Sequence, residues 1–242
     1  MIRKYTRRIL VCMAILLGVG LLFYRLDKQG FFNLQKIQMD LHMEAQHAAF
    51  FQPLKNQLNE ELKAFENQSL VHLPMGKLHQ ILASKVWIQS FHVQRVWPQT
   101  LQIQIQAFQV IGVWHHQKQA RIVLSNGQII STLDWSNVPD AIHWVGAEFE
   151  KPEVRTNTMQ MLKALPDKGS LTTDQFSEIQ WNQKEGYKLI HQSGVMVKMG
   201  FDQFPLKAAR VQQVIDYLDS HHTPAKVIDA SLRRKVLVKT LR

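Results

Sequence analysis

The amino end constrains this chain more than any other stretch. Ile9 to Tyr24 is a run of sixteen residues without a charge, and Arg3, Lys4, Arg7 and Arg8 precede it with no acid among them. A helix there rises about 1.5 Å per residue and falls a little short of the roughly 20 residues that a bilayer core demands. Tyr24 at the interface and a snorkelling Arg25 extend its reach. A cleaved leader has a shorter apolar region and then small residues, whereas Leu21, Leu22, Phe23, Tyr24 and Arg25 are all bulky. The sequence therefore predicts one uncleaved transmembrane helix over 9–25, with Ile9, Leu16 and Leu22 as anchor residues. The positive-inside rule leaves 1–8 as a cytoplasmic tail and the body, 26–242, on the outer side.

Charge placement supports the same topology. The formal net charge is +10, but residues 1–8 carry +4, residues 233–242 carry +5, and the intervening 9–232 carry only +1. A nearly neutral body with two basic ends argues against a nucleic-acid binder. Of the 242 residues, 45% are hydrophobic and 20% charged, so a packed core is expected and global disorder is not. One cysteine, Cys12, excludes an internal disulfide framework and a Cys-rich metal centre. His115-His116 and His221-His222 are adjacent pairs, which a strand would point to opposite faces, and neither sits in a His-Glu-x-x-His frame. They read as solvated loop histidines. Ser125, Ser193 and Ser231 lack a Gly-x-Ser-x-Gly context. No catalytic residue, metal, cofactor or small-molecule substrate is expected.

The body reads as α+β in two parts. In the first, Leu34–Asp40 is strand-like. Leu54, Leu58, Leu62 and Phe65 make one helical face from Pro53, and Leu78, Ile81 and Leu82 mark a short helix. Val86–Arg95 reads as a strand that Trp97-Pro98 ends. From Thr100 to Gln106, Leu101, Ile103 and Ile105 alternate with glutamines, one buried face and one wet face. The second part carries two hairpin signals, Ser125-Asn126-Gly127 and Gln192-Ser193-Gly194, each between apolar runs. Helices are predicted over Val154–Leu165 and Pro205–Ser220, the latter with Ala208, Val211, Val214, Ile215 and Leu218 as its stripe. Lys226–Asp229 and Leu232–Leu241 look extended.

The stretch from Leu82 to Gln106 resembles the signature of the bacterial FtsQ/DivIB cell-division family, with Trp87, Val93, Arg95, Trp97, Pro98, Thr100 and Leu101 at matching places. Asp229 matches a motif near the family's end, where Leu232 stands at the usual tyrosine and Lys235 at the usual glycine. The resemblance implies a β-α-α-β-β POTRA domain over 26–107 and an FtsQ β domain over 108–242, both periplasmic, on a single-pass inner-membrane anchor at the division septum. It implies a non-enzymatic scaffold that recruits and holds FtsB and FtsL, and other divisome proteins, by adding a partner strand to the sheet edge Ser231–Val238. The residues implied in partner binding are Asp229, Ser231, Leu232, Arg233, Arg234 and Val236. Arg95, Trp97 and Pro98 are a surface or a structural element of the first domain. A membrane-anchored periplasmic cell-wall hydrolase is the alternative.

Overall fold

A computed structural model describes the backbone of residues 2–116, 119–132 and 138–241, and the side chains from residue 12 on save those at 116, 131 and 132. The fold is α+β in two compact units, Met1–Met43 with Phe51–Ala107 and Glu44–Phe50 with Phe108–Arg242.

The first unit opens with a long helix, α1 (Ile2–Lys28). Its apolar side chains from Met13 to Tyr24, Leu16 and Leu22 included, are exposed; the side chain of Ile9 lies outside the described residues. Among the described residues no helix is long and apolar enough to cross a membrane. After α1 come β1 (Lys36–His42), α2 (Ala48–Leu62), α3 (Met75–Ala83), β2 (Ile88–Val96) and β3 (Thr100–Ala107). The strands form a mixed sheet in the order β1-β3-β2, with β1 parallel and β2 antiparallel to β3. Leu101, Ile103 and Ile105 on the central strand are fully buried, as their alternation demands. Phe51, Leu58, Leu62, Leu78 and Leu82 of the helices are buried as well. Several boundaries differ from the sequence reading, and backbone bonding explains two of them. The first strand starts at Lys36, not Leu34, because Leu34 spends its N–H and C=O on Gln68 and Asn67 instead of on a neighbouring strand. The helix expected from Pro53 starts five residues earlier, so Pro53 sits inside it, just beyond the first turn, where only one backbone bond is lost.

The second unit contains β4 (Val110–His116), β5 (Gln119–Leu124), β6 (Ile129–Thr132), β7 (His143–Val145), α4 (Pro152–Lys163), β8 (Phe176–Asn182), β9 (Gly186–His191), β10 (Met196–Gly200), α5 (Phe204–Ser220), β11 (Ala225–Asp229) and β12 (Leu237–Thr240). Among the described residues nine strands make one sheet, in the order β12-β11-β10-β9-β8-β7-β4-β5-β6. Both hairpin signals fold as expected: β5 and β6 flank Gly127 (φ 81°), and β9 and β10 flank Gly194 (φ 83°), each glycine in the left-handed region. The sequence pattern does not announce β4, β7 or β8. Of these β7 matters most, because its parallel pairing with β4 on one side and β8 on the other joins the two halves of the sheet.

That seam is held by Trp144, which is fully buried and tilted against Phe149 at 5.1 Å. Its indole occupies the space above Gly112 of β4, where an added Cβ would come within 2.0 Å of the indole nitrogen. On the other face of the seam His115 and His143 stack at 4.7 Å and share a short ring-nitrogen contact, with Glu178 in register beside His143. The expectation of a loop histidine is thus corrected for His115: it is a half-buried strand residue, since Val113, Trp114 and their neighbours carry the chain through the sheet.

Gly112→Ala should destabilise the second unit by about 1–3 kcal/mol, the usual cost of overpacking, because a large buried ring cannot move aside; an unchanged thermal midpoint would contradict the packing. The histidine pair gives the seam a pH dependence. Burial first, and the neighbouring His143 second, push the His115 imidazole below its ordinary value, partly opposed by Glu178. A lowered folded-state value means the unfolded chain takes up the proton first. The stability that depends on neutral His115 is therefore complete above pH 6.5, the ordinary histidine value, and is lost as pH falls through the His115 folded-state value. Thermal melts from neutrality down to about pH 5 should fall more steeply for the wild-type chain than for His115→Gln. Parallel slopes would exclude the pair as the cause.

Candidate partner-binding edge

One edge of the nine-stranded sheet is β12, and its surroundings are built by α5. The chain leaves β10 at Gly200 (φ 70°) and turns through Gln203, a non-glycine residue in the left-handed region (φ 54°), into α5. It returns in β11, which runs parallel to β10. The crossover is braced by Lys207, which is 1% exposed and lies on the buried stripe of α5 four residues before Val211. Its ammonium donates to the Met199 carbonyl and to Asp202 Oδ1, both at 3.0 Å. The Lys207 hydrogen bond and charge hold the Asp202 carboxyl below the usual carboxylate range. A buried charge is retained only where such bonds satisfy it.

Beyond β11 the structure departs from the expected strand Ser231–Val238. Asp229 closes β11 and its Oδ1 accepts from the backbone N–H (2.9 Å) and hydroxyl (2.6 Å) of Ser231, which turns the chain out of the sheet. Leu232, Arg233 and Arg234 form a bend. Arg210 of α5 donates to the Arg233 carbonyl at 2.6 Å and pins that bend. Val236 turns back toward the core, partly buried. Only then does β12 begin, antiparallel to β11 with a bulge between Ala225 and Val227. All four β12 residues are exposed. Leu232, Leu237, Val238 and Leu241 add exposed apolar surface, and Arg233, Arg234 and Lys235 form an exposed basic run.

The sequence-derived residues therefore divide. Asp229, Ser231, Leu232, Arg233, Arg234 and Val236 come together in the β11–β12 connection, whereas the free strand edge is Leu237–Thr240. Arg95, Trp97 and Pro98 belong to the first unit. There Arg95 is half-buried on the covered side of β2 and donates to the Leu73 carbonyl at 3.3 Å, while Trp97 packs edge-on against Phe32. Sequence reasoning misses Lys207 and Arg210. Lys207 sits at the i−4 position of a predicted core residue, which is the signal that could have found it. Among the described residues no group of three or more His, Cys, Asp or Glu could hold a metal ion.

Lys207→Ala should cost the second unit about 2–5 kcal/mol, as for a long side chain removed from a core, and should loosen the β11–β12 connection. Denaturant unfolding and amide exchange at 230–236 read the two effects. Native protection at 230–236 in a destabilised variant would separate the brace from the edge.

Residues 112–231 match the family profile described as cell division protein FtsQ/DivIB, C-terminal. The cell division protein FtsQ of Rhizobium radiobacter is 23% identical over 65 residues, which are 27% of this chain and 31% of that protein, so the chain spans about a third of the curated relative's length in the match. The solved major extracytoplasmic domain of the trans isomer of the cell division protein DivIB from Geobacillus stearothermophilus shares 20% identity, with a TM-score of 0.34 over 47% of this chain and 95% of that one. Through residues 112–231, the chain belongs to the FtsQ/DivIB family of cell division proteins.

Proposed function

We propose that this chain is a non-enzymatic scaffold of the division machinery, anchored in the inner membrane by α1, with its body in the periplasm at the septum. In this reading the first unit is a POTRA domain. The second binds FtsB, and through it FtsL, by strand addition to β12. The observation that carries the reading is the exposed edge Leu237–Thr240. A sheet edge offers a row of backbone N–H and C=O groups, and a partner strand that takes them up gains main-chain hydrogen bonds at once. The exposed apolar residues of β12 supply side-chain contact. The basic run Arg233-Arg234-Lys235 beside it favours an acidic partner segment and speeds the encounter. The anchor reading is supported by the exposed apolar surface of α1 and by the bases that precede it in sequence.

Proline scanning of β12 tests the edge. Successive residues of a strand point their N–H groups to opposite sides, so of Val238→Pro and Lys239→Pro one removes a bond to β11 and the other an outward donor. Calorimetric titration with the periplasmic part of FtsB, alone and joined to FtsL, should show binding weakened roughly tenfold or more in the outward-facing variant, with the circular dichroism unchanged. Native affinity in both variants would move the contact away from β12.

A further inference from the structure

The end of the first unit next to α1 carries an aromatic cluster whose position follows from the helix itself. Phe23, inside the apolar run, stacks on Phe32 at 4.8 Å with the rings 20° apart. Phe32 in turn meets Trp97 edge-on at 5.5 Å and Phe31 edge-on at 5.2 Å. Phe23 lies five residues before the end of α1, about 7.5 Å along its axis. The segment that carries Phe32, and Trp97 with it, thus lies beside the last turns of the helix and not beyond its end.

Polar bonds lock this arrangement. Asp27 accepts from the Ser69 hydroxyl and lies 3.4 Å from His72 Nε2, and the Gln99 amide donates to the Phe31 carbonyl at 3.2 Å. The one acid of the last turns is thereby turned inward. Arg25 and Lys28 remain on the surface, and the Lys28 ammonium lies 5.9 Å from the Tyr24 ring. Phe32 is buried, but Tyr24 is 61% exposed, Phe31 48% and Trp97 51%. Three large exposed aromatics and two surface cations grouped at this end of the unit have the composition of a membrane–water interface, where amphipathic rings settle at headgroup level and cations meet anionic lipid.

We propose that this end of the first unit is seated in the bilayer interface, with Tyr24, Phe31 and Trp97 among the lipid headgroups and Arg25 and Lys28 against anionic lipid. The proposal rests on α1 as the membrane anchor. If the apolar run ends at the membrane boundary at Tyr24, a first unit stacked on Phe23 through Phe32 has Phe32 and its neighbours at that boundary. Trp97-Pro98, read from sequence as a strand stop or a protein-binding surface, then faces lipid.

The test uses the full chain reconstituted in vesicles of phosphatidylethanolamine and phosphatidylglycerol, with or without lipids brominated close to the headgroup. The emission lost in Trp97→Phe isolates Trp97 from the other indoles. It should be blue-shifted from that of a water-exposed indole and lose roughly half its intensity to brominated lipid. Phe31→Trp, at an exposed position that needs no repacking, should add a second component with the same behaviour. An alkaline wash separates the two layers of the argument. A chain that stays in the vesicles while Trp97 and the indole introduced by Phe31→Trp emit as in water, unquenched, overturns the seating and keeps the anchor. A chain stripped by the wash overturns the anchor and the seating with it.

Discussion

Trp144 has to pack against bare backbone at Gly112 if the second unit is to have one sheet and not two. Strand β7 is three residues long, and so short a pairing is marginal by hydrogen bonds alone. Burying an indole supplies roughly 4–6 kcal/mol of apolar transfer, enough to hold the seam. Some is given back, since the Trp144 indole nitrogen is buried with no hydrogen-bond partner among the described residues, at a cost of about 1–3 kcal/mol. Trp114, its register neighbour on β4, avoids that cost by donating to the Gly146 carbonyl at 2.9 Å. The absence of a side chain at residue 112 is therefore what allows β8 to β12, and so the edge, to continue from β4 to β6.

The same seam shows where sequence legibility ends. Leu101, Ile103 and Ile105 are readable because an alternation of period two has one structural meaning when one face is covered and the other wet. Asn126-Gly127 is readable because the turn needs a residue that tolerates positive φ. His143-Trp-Val carries no period at all. Three residues cannot express one, and its strand character is imposed by neighbours on both sides. The histidines mislead for a related reason. Adjacency along the chain shows that His115 and His116 diverge, but the partner of His115 is 28 residues away, on a strand that has no signal of its own.

The candidate edge is half legible. The extended, apolar and basic character of residues 231–241 is plain in the sequence, and so is the end of the preceding strand at Asp229. The interruption is not, because it depends on tertiary bonds. An aspartate closing a strand can cap a turn or stay in the ladder, and here the Ser231 hydroxyl and N–H decide for the turn. Arg210 reinforces the choice from α5, 23 residues upstream. A run of Leu-Arg-Arg-Lys with nothing to pin it would extend as readily as it bends.

Pinning the connection also bears on how an edge can bind. A flexible terminal strand would lose conformational freedom on accepting a partner, about 1–2 kcal/mol for each residue fixed, and that loss would consume most of what a few main-chain hydrogen bonds return. The Asp229–Ser231 turn, the Arg210–Arg233 bond and the inward Val236 place that ordering cost within folding, before any partner arrives. Lys207 braces the neighbouring β10–α5 corner through its two bonds at 3.0 Å, and Gly200 in that corner lies so close to Ser231 that an added Cβ would come within 3.3 Å of the Ser231 Cα. What looks like a buried charge at odds with its apolar stripe is thus explained by the corner it satisfies, as Arg210 is by the bend it holds.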